Sequence, residues 1–201
     1  MRIIAGRHRG RTLRAPKGEA TRPTTDRVRE SMMSAVASAR GGFAGAVVLD
    51  AFAGSGALGL EALSRGAARA VFFERAPGAL AALQANVRAL GYAPPAAAVR
   101  RADVLSAPPA GARPAFDLVF LDPPYAYPAA EVLGMVRRLA AGGALAKDAV
   151  VVYEHAAAAC GDVDEAAAAC GFSLARRGKY GDTIVDMLRP APTTERMSAQ
   201  P

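Results

Sequence analysis

The chain reads as an α/β protein with a mostly parallel, seven-stranded sheet, helices on both faces and an antiparallel strand pair at its C-terminal end. Three observations predict this class. From residue 47 onward, short apolar runs rich in Val, Ile, Leu and Phe alternate with helix-length segments, the pattern of βαβ units. The last two extended segments are joined only by a glycine-containing turn, which suits an antiparallel pair. The length of 201 residues suits one such domain with a short appendage, and needs no disulfide or metal to stabilise it.

The elements follow in order. Gly6, Gly10, Pro16 and Gly18 break the N-terminal segment into short extended pieces, with Ile3, Ile4 and Leu13 as anchors for a small hairpin. Thr24, Thr25 or Asp26 can cap a helix after Pro23; its apolar positions Val28, Met32 and Val36 recur every four residues, and Gly41-Gly42 ends it. Val47–Phe52 is a buried strand, followed by a glycine turn and a helix through Leu58, Leu60 and Leu63. Ala70–Glu74 is the second strand and Pro77–Leu90 a helix closed by Gly91. Strands are expected at Ala97–Arg101, Phe116–Leu121 and Val150–Tyr153, and helices over Val132–Leu139 and 162–170. Phe172–Arg176 and Thr183–Leu188 close the sheet around a Gly178–Gly181 turn. The expected organisation is a basic arm and helix over 1–40, the main domain over 41–189, and a disordered, proline-rich tail over 190–201.

Charge is distributed unevenly. Residues 1–40 hold ten basic and three acidic side chains, so the whole net charge of +7 lies there. Nine of the ten are Arg, whose planar fork grips phosphate and stacks on bases, so the arm is a candidate polyanion-binding segment. The two cysteines, Cys160 and Cys170, have no metal-ligand spacing, and no signal peptide or membrane-length apolar run is seen. A cytoplasmic protein without a metal, away from membranes, is expected.

Two constellations carry chemistry. In Asp50-Ala51-Phe52-Ala53-Gly54-Ser55-Gly56-Ala57-Leu58-Gly59 the chain leaves a strand and enters a helix through glycines that allow a ligand close to the backbone. Alone, Gly54-x-Gly56-x-x-Gly59 also fits a dinucleotide-binding turn or a turn that binds nothing. Asp50, four residues before the first glycine, separates these: it would repel a pyrophosphate and suit a cationic sulfonium and ammonium. Glu74 ends the next strand where an acidic residue can meet ribose hydroxyls. The second constellation is Asp122-Pro123-Pro124-Tyr125 after the fourth strand. A base amine has its lone pair delocalised into the ring. A carboxylate taking one of its N–H bonds, and a backbone carbonyl the other, can turn that lone pair toward a methyl donor. The two prolines stiffen the loop and Tyr125 can stack on the base.

At these residues the sequence resembles class I S-adenosylmethionine-dependent methyltransferases of the amino-methylating kind. Met1–Gly6, Arg22–Glu30, Gly54–Ala62 and Lys179–Thr183 resemble a narrower family, the bacterial 16S rRNA (guanine-N2)-methyltransferases. The resemblance implies a Rossmann-like fold and methyl transfer from S-adenosylmethionine to the N2 amine of a guanine in 16S rRNA, within a small-subunit particle, by a monomer. It implies that Asp50, Phe52, Gly54, Ser55 and Gly56 line the cofactor, that Glu74 holds its ribose, that Asp103 meets its adenine amine and that Thr24 lies beside it. Asp122, Pro123, Pro124 and Tyr125 would hold the base, and the charge of the arm makes Arg7, Arg9, Arg11, Arg22 and Arg27 the candidate RNA contacts. The stretch Ala156–Ala159 and the tail depart from the family pattern and leave C-terminal substrate contacts open. His155, after the fifth strand, reads as structural.

Three other readings compete. A DNA amino-methyltransferase shares the Asp-Pro-Pro-Tyr chemistry but needs a larger target-recognition region than this chain can supply. An NAD-dependent oxidoreductase conflicts with Asp50. A non-catalytic RNA-binding protein of this fold would not be expected to keep Asp122.

Overall fold

A sheet covered on both faces needs neighbouring residues of each strand to enter opposite cores. In β1 (Val47–Asp50), Val48 joins one core and Leu49 the other; in β2 (Arg69–Glu74), Phe72 and Val71 divide in the same way. β4 (Phe116–Leu121) repeats this with Phe120 and Val119. The computed structural model describes residues 1–16 and 26–192.

With β3 (Ala97–Arg101), β5 (Leu145–Ala156), β6 (Phe172–Tyr180) and β7 (Thr183–Pro190), the strands form one seven-stranded sheet of order β3-β2-β1-β4-β5-β7-β6. The first five pair in parallel, and β7 runs antiparallel to both β5 and β6. One face is covered by α1 (Asp26–Arg40), α2 (Ala57–Ser64) and α3 (Pro77–Ala89), through Met32, Met33, Val36, Leu60 and Leu83. The other face is covered by α4 (Ala129–Ala141), through Val132, Val136 and Leu139, and by α5 (Cys160–Ala169), through Val163. Each such side chain, fully buried, contributes roughly 1.5–3 kcal/mol. Among the described residues no helix is long and apolar enough to cross a membrane.

The N-terminal hairpin forms as expected. Arg2 pairs with Thr12, and the Ile3 N–H donates to the Arg11 carbonyl at 2.9 Å. Ile3 and Leu13 are buried in the α1–α3 core, whereas Ile4 is only half-buried.

Several boundaries differ from expectation. β1 stops at Asp50 rather than Phe52, because the chain turns there into the glycine loop. β5 is far longer than Val150–Tyr153: pairing with β4 reaches back to Leu145, and antiparallel pairing with β7 holds it through Ala156. β6 continues through Gly178, which pairs with Val185 beneath the Tyr180 ring, so the turn is Gly181-Asp182 alone. β7 reaches Pro190, and the Ala191 N–H donates to the Gly171 carbonyl, so the tail expected from 190 onward is fastened to the sheet at its start. Thr24 and Thr25, and residues 193–201, lie outside the described residues.

Asp186, on β7, is completely buried. It accepts hydrogen bonds from Arg177 Nε (2.7 Å) and Nη2 (2.6 Å) and faces His155 Nε2 at 3.0 Å. Arg177 also reaches Asp164 on α5 at 2.6 Å. His155 thereby stitches β5 to β7, the structural role the sequence suggested.

Candidate active site

Parallel strands in register bring their C-terminal ends to one edge of the sheet. β1 pairs with β2 on one side and with β4 on the other, so the strand order reverses between β1 and β4, where crevices form in such sheets. Asp50 is level with Phe72 and Phe120, Glu74 ends β2, Asp122 follows Leu121, and Glu154 follows Tyr153, the partner of Leu121. A cavity of about 760 Å³ opens there, in the size range of small-ligand sites, and all four carboxylates line it.

The glycine loop is held by those acids. Gly59 N–H donates to Asp50 Oδ2 at 2.9 Å, Gly54 N–H to Glu74 Oε2 at 2.9 Å, and Ala76 N–H to Glu74 Oε1 at 2.6 Å. A Cβ on Gly59 would lie 2.4 Å from the Phe72 ring and 3.1 Å from Asp50 Oδ2, so only glycine allows this approach. Phe52, Gly54 and Ser55 line the cavity; Gly56 does not. Its place is set by packing, since a Cβ there would meet Leu83 Cδ1 at 2.4 Å.

Asp103 also lines the cavity, accepting the Leu105 N–H at 2.9 Å and pairing with Arg75 at 2.9 Å. Arg75 extends over the Tyr127 ring, 5.6 Å from its centroid, and Tyr127 lies against Phe52 with ring centroids 6.1 Å apart. Pro123, Pro124 and Tyr125 complete the wall beyond Asp122. Tyr125 is 60% exposed, an unusual state for so large a ring, and its hydroxyl lies 3.3 Å from Thr183 Oγ1 at the start of β7.

Two of the cavity's carboxyls are raised above their ordinary range. Lost hydration pushes the Asp50 carboxyl up to about 7; the Gly59 N–H opposes the rise and the Glu74 charge adds to it. Asp122 keeps solvent access through the cavity, yet protein surrounds its carboxyl closely. Lost hydration, then the charges of Glu154 and Asp50, hold it above the ordinary carboxylate range. Such a site favours a cation.

The arm's arginines divide. Arg7, Arg9, Arg11 and Arg27 are exposed. Arg7 stacks over the Tyr92 ring at 5.2 Å, and Arg11 donates to the Ala89 carbonyl at 3.0 Å. Arg29 and Arg40 are not part of a free polyanion surface: Arg29 is 2% exposed and donates to the Arg2 carbonyl, and Arg40 is paired with Asp117 at 2.7 Å. Counting charges along the sequence could not separate these two from the rest. Arg22 and Thr24 lie outside the described residues.

Sequence reasoning missed Glu154, Tyr127, Asp182, Thr183 and Arg29 as cavity residues. Glu154 carried a usable signal, an acid directly after the apolar run Val150–Tyr153, much as Glu74 and Asp122 close theirs. Tyr127 and Asp182 come from loops, Arg29 from a helix face and Thr183 from the first position of β7, where sequence position says little about what they face.

Comparison with known proteins agrees with this architecture. A family model described as Conserved hypothetical protein 95 matches residues 1–189. Ribosomal RNA small subunit methyltransferase D of Haemophilus influenzae (strain ATCC 51907 / DSM 11121 / KW20 / Rd) is 40% identical over 134 residues, 65% of this chain and 67% of that protein. The Escherichia coli (strain K12) protein of the same name is 54% identical over 74 residues, 37% of this chain and 36% of that protein. The solved structure of yhhF from Escherichia coli superimposes with a TM-score of 0.74 at 30% identity, covering 95% of this chain and 98% of that one. With sequence motifs, sheet order and family match in agreement over nearly the whole length, the chain belongs to the family described as Conserved hypothetical protein 95.

Proposed function

We propose that the chain transfers a methyl group from S-adenosylmethionine to the exocyclic N2 amine of a guanine in 16S ribosomal RNA, releasing S-adenosylhomocysteine. The observation that carries this reading is the convergence of Asp50, Glu74, Asp122 and Glu154 with the exposed Tyr125 on one cavity at the strand-order reversal. The relatives' names support ribosomal RNA as the substrate.

The donor set fits the cofactor. Asp50 offers negative charge beside the glycine loop, suited to the sulfonium and ammonium of the methionine part, which a pyrophosphate could not tolerate. Glu74 spends both oxygens on backbone N–H groups and keeps lone pairs for ribose hydroxyls, and Asp103 would accept from the adenine amine. When bound, the cofactor supplies a methyl group already activated by positive charge, so no metal is assigned a part.

The chain's own work is alignment. Asp122 accepts one N–H of the guanine amine, and a backbone carbonyl of the Pro123-Pro124 segment, which has no N–H of its own to compete, accepts the other. This turns the lone pair out of conjugation and toward the methyl carbon. Tyr125 stacks on the base and fixes its plane. As the new N–C bond forms, the amine sheds a proton to Asp122 or to water. Arg7, Arg9, Arg11 and Arg27, with Arg22, grip the phosphates of RNA in the small-subunit particle.

The test is to incubate small-subunit particles lacking the modification with the protein and methyl-labelled S-adenosylmethionine, and then to identify the labelled nucleoside by mass spectrometry. N2-methylguanosine in 16S rRNA is expected. Label on another nucleoside, or no label in RNA, would overturn the assignment.

A further inference from the structure

The N-terminal hairpin is fixed to the two helices that frame the glycine loop. On α2, Glu61 is wholly buried and accepts the Ile4 and Ala5 N–H groups at 2.7 and 3.0 Å. Ser64 accepts the His8 N–H at 3.0 Å and donates to the Ala5 carbonyl at 2.6 Å, and the Ser64 carbonyl takes the Arg7 N–H at 2.8 Å. On α3, Asn86 is 1% exposed and makes three bonds. It accepts the Arg14 N–H (2.8 Å) and donates both to the Arg14 carbonyl (3.0 Å) and to the Ser55 carbonyl (2.9 Å). One amide thus holds the arm and the glycine loop together. Met1, Ala15 and Pro16 line the same cavity, and Met1 Sδ lies 3.9 Å from Ser55 Oγ.

We propose that residues 1–16 are a wall of the cofactor cavity, and that Asn86 is a positioning residue through which cofactor binding at Ser55 and RNA binding on the arm strengthen each other. The proposal rests on the reading of the cavity as an S-adenosylmethionine site. Buried amides that satisfy two segments at once move them together, because shifting either one leaves donors or acceptors unpaired. Ordering of the arm by RNA therefore favours the loop geometry that holds the cofactor, and linkage makes the effect reciprocal.

Two glycines give a matched test. Gly6 and Gly10 both have φ +82°, so alanine is strained at either. At Gly6, however, a Cβ would lie 1.9 Å from the Ser64 carbonyl oxygen, whereas at Gly10 it meets nothing within 4 Å. Gly6→Ala must lift the hairpin from α2 without changing any charge or cavity side chain. Calorimetry with S-adenosylhomocysteine should show affinity for Gly6→Ala lowered about tenfold, and for Gly10→Ala close to wild type. A second measurement uses the wild-type protein: saturating S-adenosylhomocysteine should slow tryptic cleavage after Arg11 and Arg14. Equal affinity in the folded Gly6→Ala variant, or cleavage indifferent to the ligand, would overturn the proposal. Absence of S-adenosylhomocysteine binding by the wild-type protein would instead overturn the cofactor assignment beneath it.

Discussion

Two carboxylate clusters in this molecule are built in opposite ways. Asp186 is fully enclosed, but Arg177 and His155 complete its hydrogen bonds and its carboxyl is held below the ordinary range despite burial. Asp50 and Asp122 lie among further carboxylates, and both are pushed upward. The first cluster is finished within the fold. In the second, like charge and burial raise two carboxyls that line one cavity, an electrostatic pattern that marks candidate sites more often than scaffolds.

The comparison breaks most sharply at Asp122. Asp122→Ala removes the acceptor that aligns the amine, a bond that matters at the transition state, so turnover should fall by roughly 10²–10⁴-fold. S-adenosylhomocysteine affinity should stay near wild type in calorimetry. Turnover within a few-fold of wild type would remove Asp122 from the chemistry.

Asp186→Asn should have the reverse profile. It leaves Arg177 without its buried partner and should cost about 2–4 kcal/mol in denaturant unfolding, less than for a wholly buried pair because Arg177 is partly exposed, while the folded fraction keeps its turnover. The clusters also predict opposite pH slopes. Asp186, lowered, contributes stability that is present above the ordinary carboxylate value and lost as pH falls through its folded value. Asp50, raised, costs nothing below its ordinary value of 3.8; the cost grows as pH rises and is complete above about 7. Without ligand, Asp50→Asn should therefore be more stable than wild type at pH 8 and equal to it near pH 4.

A smaller effect concerns the arm. Replacing Arg7, Arg9 and Arg11 by Ala should flatten the dependence of RNA affinity on log salt by roughly two to three units if each meets a phosphate. Arg11 already donates to the Ala89 carbonyl, so the lower figure is expected. Parallel lines of equal affinity would move the RNA contacts elsewhere.

These contrasts also show what the sequence could disclose. Strand-end acids were legible because a carboxylate directly after a buried apolar run has few structural uses; Asp50, Glu74 and Asp122 were found in this way, and Glu154 obeyed the same rule. The sheet was legible wherever Val, Leu, Ile and Phe marked it. It was obscured at β5, where Ala fits helix and strand alike, and at β6, where Gly178 was read as the start of the turn although it pairs with Val185. The split among the arginines was not legible. Whether a guanidinium is buried like Arg29, paired like Arg40 or exposed like Arg9 depends on packing between distant segments.

The claim that Asp50 and Asp122 await a cation is tested most directly by counting protons on ligand binding. Calorimetry of S-adenosylmethionine in buffers of different ionisation enthalpy at pH 7 gives the number released. A bound positive charge lowers raised carboxyl values, so the account predicts net proton release, with affinity increasing from pH 6 to pH 8. Proton uptake, affinity independent of pH, or tighter binding of NAD than of S-adenosylmethionine would contradict it.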